Sequence, residues 1–169
     1  KRTFENLFEL GFIPIVNEND SIATTEIKYG DNDRLASRVA QISGADCLVL
    51  LSDVDGLYTQ NPKLFKNSQL IKEIENIDLD IEKIATKSIS EHGTGGMKTK
   101  IEAAKICQLS GCTMVIANGL SERPIKKIID ENKCTWFLPK ISKLDARKKW
   151  IIGSVSPKGE LVVDEGAII

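Results

Sequence analysis

The spacing of apolar side chains changes repeatedly along this chain between a helical and an extended period, and the changes mark out its elements. Residues 1–10 read as the end of an amphipathic helix stopped by Gly11. Phe12 to Val16 is a short apolar run that predicts a buried strand. Asn17-Glu18-Asn19-Asp20 breaks it, and Ser21 to Lys28 predicts a small hairpin or an extended flap. After Gly30-Asp31-Asn32-Asp33, helical spacing through Leu35, Val39 and Ile42 predicts a helix over 34–42, with Asp31 as its N-cap and Gly44 as its stop.

Asp46 to Leu51 is a near-continuous apolar run of the parallel-sheet kind, and Ser52 to Tyr58 follows at its carboxyl end. Asn61-Pro62 marks a surface turn, and residues 70–85 predict a short strand and a helix on the rim. Good helix formers fill 97–110, with apolar positions at 97, 101, 104 and 106 and Gly111 as the stop. Thr113 to Ala117 predicts a second buried strand ending at Asn118-Gly119. Ser121 to Glu131 predicts a helix with Pro124 in its first turn, where a missing N–H costs little. Cys134 to Leu138 predicts a last strand, and residues 150–164 a hairpin-like tail around Pro157-Lys158-Gly159.

Strands alternating with helices imply an α/β domain around a largely parallel sheet. Ligands of such sheets sit beyond the carboxyl ends of the strands, where the polar clusters at 17–20, 52–55 and 118–119 lie. Composition narrows the picture further. With 169 residues, 41% of them hydrophobic, the chain is long enough to bury a sizeable core. A formal net charge of −1 argues against nucleic acid as the main partner, and the basic stretch from Lys140 to Lys149 reads as solvated surface. No apolar run approaches the roughly 18–20 residues of a membrane span. The cysteines at 47, 107, 112 and 134 form no C-x-x-C pair, so they read as buried, reduced thiols.

The stretch richest in candidate chemistry is His92-Gly93-Thr94-Gly95-Gly96-Met97-Lys98-Thr99-Lys100, a glycine-rich turn opening a helix. Glycines free the backbone for φ > 0 and for close approach of a ligand. A helix start gathers N–H donors and the positive end of the dipole against a phosphate. Lys98 and Lys100 add full charges there, although the spacing is not that of a Walker loop. Taken alone, the stretch reads equally well as a turn capped by an ordinary helix. Asn17, Asn19, Asp20, Asn32 and Asp33 offer amide donors and carboxylate acceptors that suit a small zwitterion. Turn chemistry explains Asn17 and Asn19 as readily, and a helix cap explains Asp31. Ser52 and Asp53 suit a nucleotide, and Asp55-Gly56 a tight turn.

In order and spacing, Asn17 to Asp20, Gly30 to Asp33, Ser52 to Tyr58 and Gly93 to Lys100 resemble the glutamate 5-kinases of the amino-acid kinase family. The resemblance covers essentially the whole chain. The strand-end Ser-Asp and Gly-Gly-Met motifs are shared with sister kinases, and the Asn-Glu-Asn-Asp plus Gly-Asp-Asn-Asp pair is more particular to this branch. It implies a three-layer α/β sandwich with a largely parallel central sheet of the amino-acid kinase type, incomplete at its amino-terminal side. Residues 1–138 would be the carboxyl-terminal part of the kinase domain, and 139–169 a basic linker with the hairpin-like tail. The implied reaction is ATP-dependent phosphorylation of the γ-carboxylate of L-glutamate, the first step of proline synthesis.

By matching position, the resemblance puts glutamate on Asp20 and Asn32. It puts ATP on Ser52, Asp53 and the loop Thr94, Gly95, Gly96, Met97, Lys98, Thr99 and Lys100. Lys100 would stabilise charge on the transferring phosphoryl group, and Asp33 would orient it; Lys98 reads as a solvent-facing cation. Mg²⁺ would accompany ATP, held largely by phosphates and water, with no side-chain ligand nominated. A homo-oligomer, feedback inhibition by proline and a cytoplasmic location are also implied. The family's opening glycine-rich turn, with a second catalytic lysine, has no counterpart here, so the chain reads as a fragment expected to be inactive by itself. Two rivals remain: a sister kinase with another carboxylate or phosphate acceptor, and a non-catalytic nucleotide- or amino-acid-binding module.

Overall fold

The structure, a computed structural model, describes residues 2–17, 32–87, 96–142 and 144–146. Helix α1 spans Arg2–Glu9, α2 Asn32–Ser43, α3 Leu79–Lys87, α4 Met97–Ser110 and α5 Pro124–Glu131. Strand β1 spans Cys47–Ser52, β2 Glu73–Ile74, β3 Thr113–Asn118 and β4 Cys134–Phe137. The strands form one sheet in the order β1-β3-β4-β2. β1 and β3 are parallel, in register from Cys47 opposite Thr113 to Ser52 opposite Asn118. β4 runs antiparallel to β3, and β2 parallel to β4. The sheet is therefore mixed but largely parallel.

β3 is the middle of the fold because both of its faces are apolar. Met114 and Ile116 point to one side, into a core with Ile101, Ala104 and Cys107 of α4 and Ala40 of α2. Val115 and Ala117 point to the other side, against Ile128 of α5 and Cys134. The period-two alternation of one strand thus joins two cores and produces three layers, helix–sheet–helix. Met114, Val115 and Ile116 are fully buried, each worth about 1.5–3 kcal/mol relative to exposure. α4 delivers the chain to β3 through a Schellman turn. Gly111 is left-handed at φ 73, and the N–H of Cys112 donates to the Cys107 carbonyl at 2.9 Å.

Several expectations need correction. Phe12 to Val16 is not a buried strand: it is irregular, with Ile13 90% and Ile15 96% exposed. An extended run is a strand only where a neighbour accepts its ladder, and among the described residues none pairs with it. In α2, Leu35 and Val39 are half-buried and Ile42 is exposed, while the small Ser37 and Ala40 are buried and Ala36 packs on the core. Small side chains let α2 lie close on α4, and that contact outweighs the larger apolar residues. β1 is apolar from Cys47 to Leu51, yet Val49 and Leu51 are exposed, because they share the sheet face of Val115 and Ala117, where α5 packs on β3. Cys47 is likewise exposed, while Cys107, Cys112 and Cys134 are buried; all of them are free thiols. α5 starts at Pro124 rather than Ser121. The hairpin expected over 21–28 and the tail over 150–164 lie outside the described residues.

A cross-link between distant segments sets the segment after β1. Thr135, fully buried on β4, accepts the Leu57 N–H at 2.8 Å and donates to the Ile71 carbonyl at 2.7 Å. Gly56 passes so close that a Cβ would stand 2.3 Å from the Thr135 hydroxyl and 2.9 Å from its backbone nitrogen. The glycine is there for space. Gly56→Ala is expected to lower the unfolding midpoint clearly, since backbone must shift to admit the methyl group. Thr135→Val, nearly isosteric, is expected to cost about 1–3 kcal/mol by leaving a buried donor and acceptor unpaired. Denaturant unfolding of both variants checks this, and an unchanged midpoint for Gly56→Ala would contradict the contact.

Candidate active site

At the carboxyl end of the sheet, Ser52 lies beside Asn118, and the Gly119 N–H donates to the Ser52 carbonyl at 2.8 Å. The ends of β1 and β3 therefore form one platform. The Ser52 hydroxyl donates to Asp53 Oδ1 at 3.1 Å, which orients an otherwise exposed carboxylate. Asp55 is the hub of the platform. Its carboxylate accepts from the Tyr58 phenol at 2.9 Å, Lys133 Nζ at 3.2 Å and Asn118 Nδ2 at 3.3 Å. Burial by itself would raise the Asp55 pKa, but the bonds from Tyr58, Lys133 and Asn118 outweigh it and hold the carboxyl below its ordinary value. Burial and the same carboxylate push the Tyr58 phenol up. Asp55, Asn118, Ser121, Lys127 and Lys133 line a cleft of about 150 Å³ between this platform and α5.

The second half of the site is the start of α4. Gly96 is its N-cap and makes no side-chain cap bond, and no acidic residue stands in the first turn. Such a helix start presents backbone N–H groups and a positive dipole end with nothing of its own to neutralise them. Gly96 itself is extended at φ −74, so positive φ is not what selects glycine here; a Cβ there would meet only open space. Met97 packs on the core, and Lys98 is exposed. Lys100 turns inward, and its ammonium donates to Asp33 Oδ2 at 2.9 Å, with the two side chains only 12% and 14% exposed. The Thr99 hydroxyl lies 3.1 Å from the same oxygen and 2.7 Å from the Gly96 carbonyl. One turn outward, Arg34 pairs with Glu102 at 2.8 Å. Two ion pairs thus join the first turn of α2 to the first two turns of α4.

The structure brings Asp33 together with Lys100 and Thr99, and Ser52 together with Asp53. Asn32 is exposed at the first position of α2. Asp20, Thr94 and Gly95 lie outside the described residues. Sequence reasoning missed the role of Asp55, which read as part of a tight turn, and of its partner Lys133. The signal for Asn118 was present, because it closes an apolar strand with a polar side chain. Lys133 and Thr135 carried no motif at all.

The model of the amino acid kinase family matches residues 1–118. The chain is 84% identical over 167 residues to glutamate 5-kinase of Pelagibacter ubique (strain HTCC1062), covering 99% of this chain and 45% of that protein. It is 51% identical over 168 residues to glutamate 5-kinase of Bradyrhizobium sp. (strain BTAi1), covering 99% and 44%. The chain thus spans less than half the length of these relatives. Among solved structures, UMP kinase from Ureaplasma parvum superposes with a TM-score of 0.56 at 18% identity, over 81% of this chain and 52% of that one. That likeness speaks for the fold alone.

The Asp55 hub makes a pH prediction. A carboxyl depressed in the folded state contributes stability above its unfolded pKa of about 3.9, and this is lost as pH falls through the folded value. Asp55→Asn is therefore expected to be less stable than wild type at neutral pH, with the gap closing below about pH 4. Unfolding midpoints measured from pH 3 to pH 7 check it. A gap that is independent of pH would contradict the charged hub.

Proposed function

Since the chain belongs to the amino acid kinase family, we propose that it serves the ATP-dependent phosphorylation of the γ-carboxylate of L-glutamate, yielding γ-glutamyl phosphate for proline synthesis. The observation that carries this reading is the withdrawn Lys100–Asp33 pair at the glycine-capped start of α4. A lysine in the first turn of a helix, fixed in place by a carboxylate from the neighbouring helix, suits an anion that gathers charge as it transfers. The identity to glutamate 5-kinases over 99% of the chain supports glutamate as the acceptor.

In the proposed reaction an oxygen of the γ-carboxylate attacks the γ-phosphorus of ATP. The new O–P bond forms as the bond to the bridging oxygen breaks, and ADP leaves. The attacking carboxylate is already ionised at neutral pH, so no general base is required. The protein has to supply position and charge stabilisation. Ser52, Asp53 and the loop Thr94 to Lys100 would hold ATP, Met97 and Thr99 through their backbone, since their side chains are turned inward. Asp20 and Asn32 would hold glutamate. Lys100 would neutralise the transferring group, and Asp33 would aim Lys100.

Mg²⁺ would lower the charge on the phosphates. Among the described residues no cluster of three or more His, Cys, Asp or Glu could hold a metal ion. Assembly as a homo-oligomer, inhibition by proline and a cytoplasmic location belong to the same reading; no helix among the described residues is long and apolar enough to cross a membrane.

The test uses the full-length protein and traps the acyl phosphate as its hydroxamate. Lys100→Ala is expected to lower kcat about a hundred- to a thousandfold, as for loss of one preorganised charge-stabilising group. Lys98→Ala should lose only a few-fold. Asp20→Ala and Asn32→Ala are expected to raise the glutamate KM roughly ten- to a hundredfold, the cost of a lost bond to a charged ligand. ATP binding without turnover would favour a non-catalytic module, and turnover with a different acceptor a sister kinase.

A further inference from the structure

Ser52 to Asp55 is an arc fastened to the end of β3 at both of its ends. The Ser52 carbonyl accepts the Gly119 N–H at 2.8 Å, and Asp55 Oδ1 accepts Asn118 Nδ2 at 3.3 Å. Asp53 stands exposed between them. The fastening at Asp55 is the longer of the two, and it is reinforced from outside: Lys133 Nζ lies 3.2 Å from Asp55 Oδ2. Tyr58 donates to the same oxygen, but it lies three residues along the same segment, so that bond is local. Lys133 comes from beyond α5, and its backbone is anchored on both sides. Asn132 before it closes α5 in the left-handed region at φ 47, and its side-chain oxygen accepts the Trp136 indole N–H at 3.0 Å. Cys134 and Thr135 after it are fully buried on β4.

We infer that Lys133 is a positioning residue for the nucleotide: by holding Asp55 from across the cleft, it fixes the arc that presents Ser52 and Asp53. The inference rests on the kinase reading above, which places ATP on those two residues. An arc that is set before the ligand arrives spares binding the cost of ordering it. The transferring phosphoryl group belongs to the start of α4, so the arc bears on ATP affinity and not on the chemical step. The Lys133 and Asp55 side chains are 60% and 20% exposed, so water screens the pair and keeps its effect modest. Lys133 lies beyond residue 118, where the match to the family model ends, so the support comes from a part of the chain outside the matched motifs.

The experiment uses the full-length protein and reads ATP affinity by equilibrium titration, alongside KM and kcat from the hydroxamate assay. Lys133→Met keeps the stem and removes the charge. It is expected to raise the Kd and KM for ATP about three- to fivefold, the ceiling for so exposed a pair. The glutamate KM and kcat should stay within about 1.5-fold of wild type, since only binding of the nucleotide is weakened. Lys133→Arg should recover the ATP affinity. In an Asp55→Ala background Lys133→Met should add nothing, because the two changes remove the same interaction. Lys127→Met, on the same cleft, controls for charge alone and should leave ATP affinity unchanged. A purely structural role would lower the unfolding midpoint without separating ATP from glutamate. Unchanged ATP affinity in Lys133→Met, an equal loss in Lys127→Met, or an additive loss in the Asp55→Ala background would overturn the inference and leave the kinase reading intact. A wild type that binds ATP but forms no hydroxamate would overturn the kinase reading, and the titrations would still decide the role of Lys133. A wild type that binds no ATP would overturn both.

Discussion

Lys100 occupies the first turn of α4, where aligned peptide dipoles already present positive charge, and its side chain is only 12% exposed to water. A cation in that place is disfavoured by the dipole and again by desolvation. Asp33 removes both objections from across the helix pair, and it sits in the first turn of α2, where a carboxylate suits the dipole. Pairs withdrawn from water in this way add little net stability, because desolvation consumes most of the attraction. Removing Asp33 nonetheless costs about 3–5 kcal/mol, because the Lys100 ammonium loses its carboxylate. What the pair supplies is a charge held at a known point. It requires α2 and α4 to lie close, and this is the reason for the buried Ser37 and Ala40 on α2 and Ala103 and Ala104 on α4.

The platform at the ends of β1 and β3 depends on a different kind of constraint. The segment after β1 is held by backbone and hydroxyl bonds to Thr135, which is 78 residues from Leu57 in sequence. Asp55 then gathers Tyr58, Asn118 and Lys133 from the β1 loop, the end of β3 and the turn before β4. The family model stops at residue 118, yet Lys133 and Thr135 beyond it shape the segment that carries Ser52 and Asp53. Outside the matched motifs, therefore, the last strand of the sheet works as the scaffold of the platform.

Much of the fold was legible because its signals are local. Gly111 ends α4 where a left-handed residue is needed, and Pro124 opens α5. The apolar runs at 46–51 and 113–117 became parallel neighbours. The failures share one cause, which is that apolar character does not say what will cover it. Phe12 to Val16 and the exposed side chains of β1 read as buried, and the described residues leave them in water. On α2 the most deeply buried side chains are the small Ser37 and Ala40, with the larger Leu35 and Val39 half-buried.

The candidate site divides in the same way. The residue types and spacings of Gly93 to Lys100, Asn32-Asp33 and Ser52-Asp53 made these stretches candidates from the sequence alone, and the family resemblance joined Asp33 to Lys100. Their chemistry follows from what those side chains and backbones can do wherever they stand. Only the tertiary structure decided that Thr99 faces Asp33 and that Asp55 is a hub rather than a turn. Each of these depends on a contact between segments more than sixty residues apart or on a helix rotation that brings one face inward. No local pattern encodes such a contact, because its energy arises from neighbours that the chain meets only after it has folded.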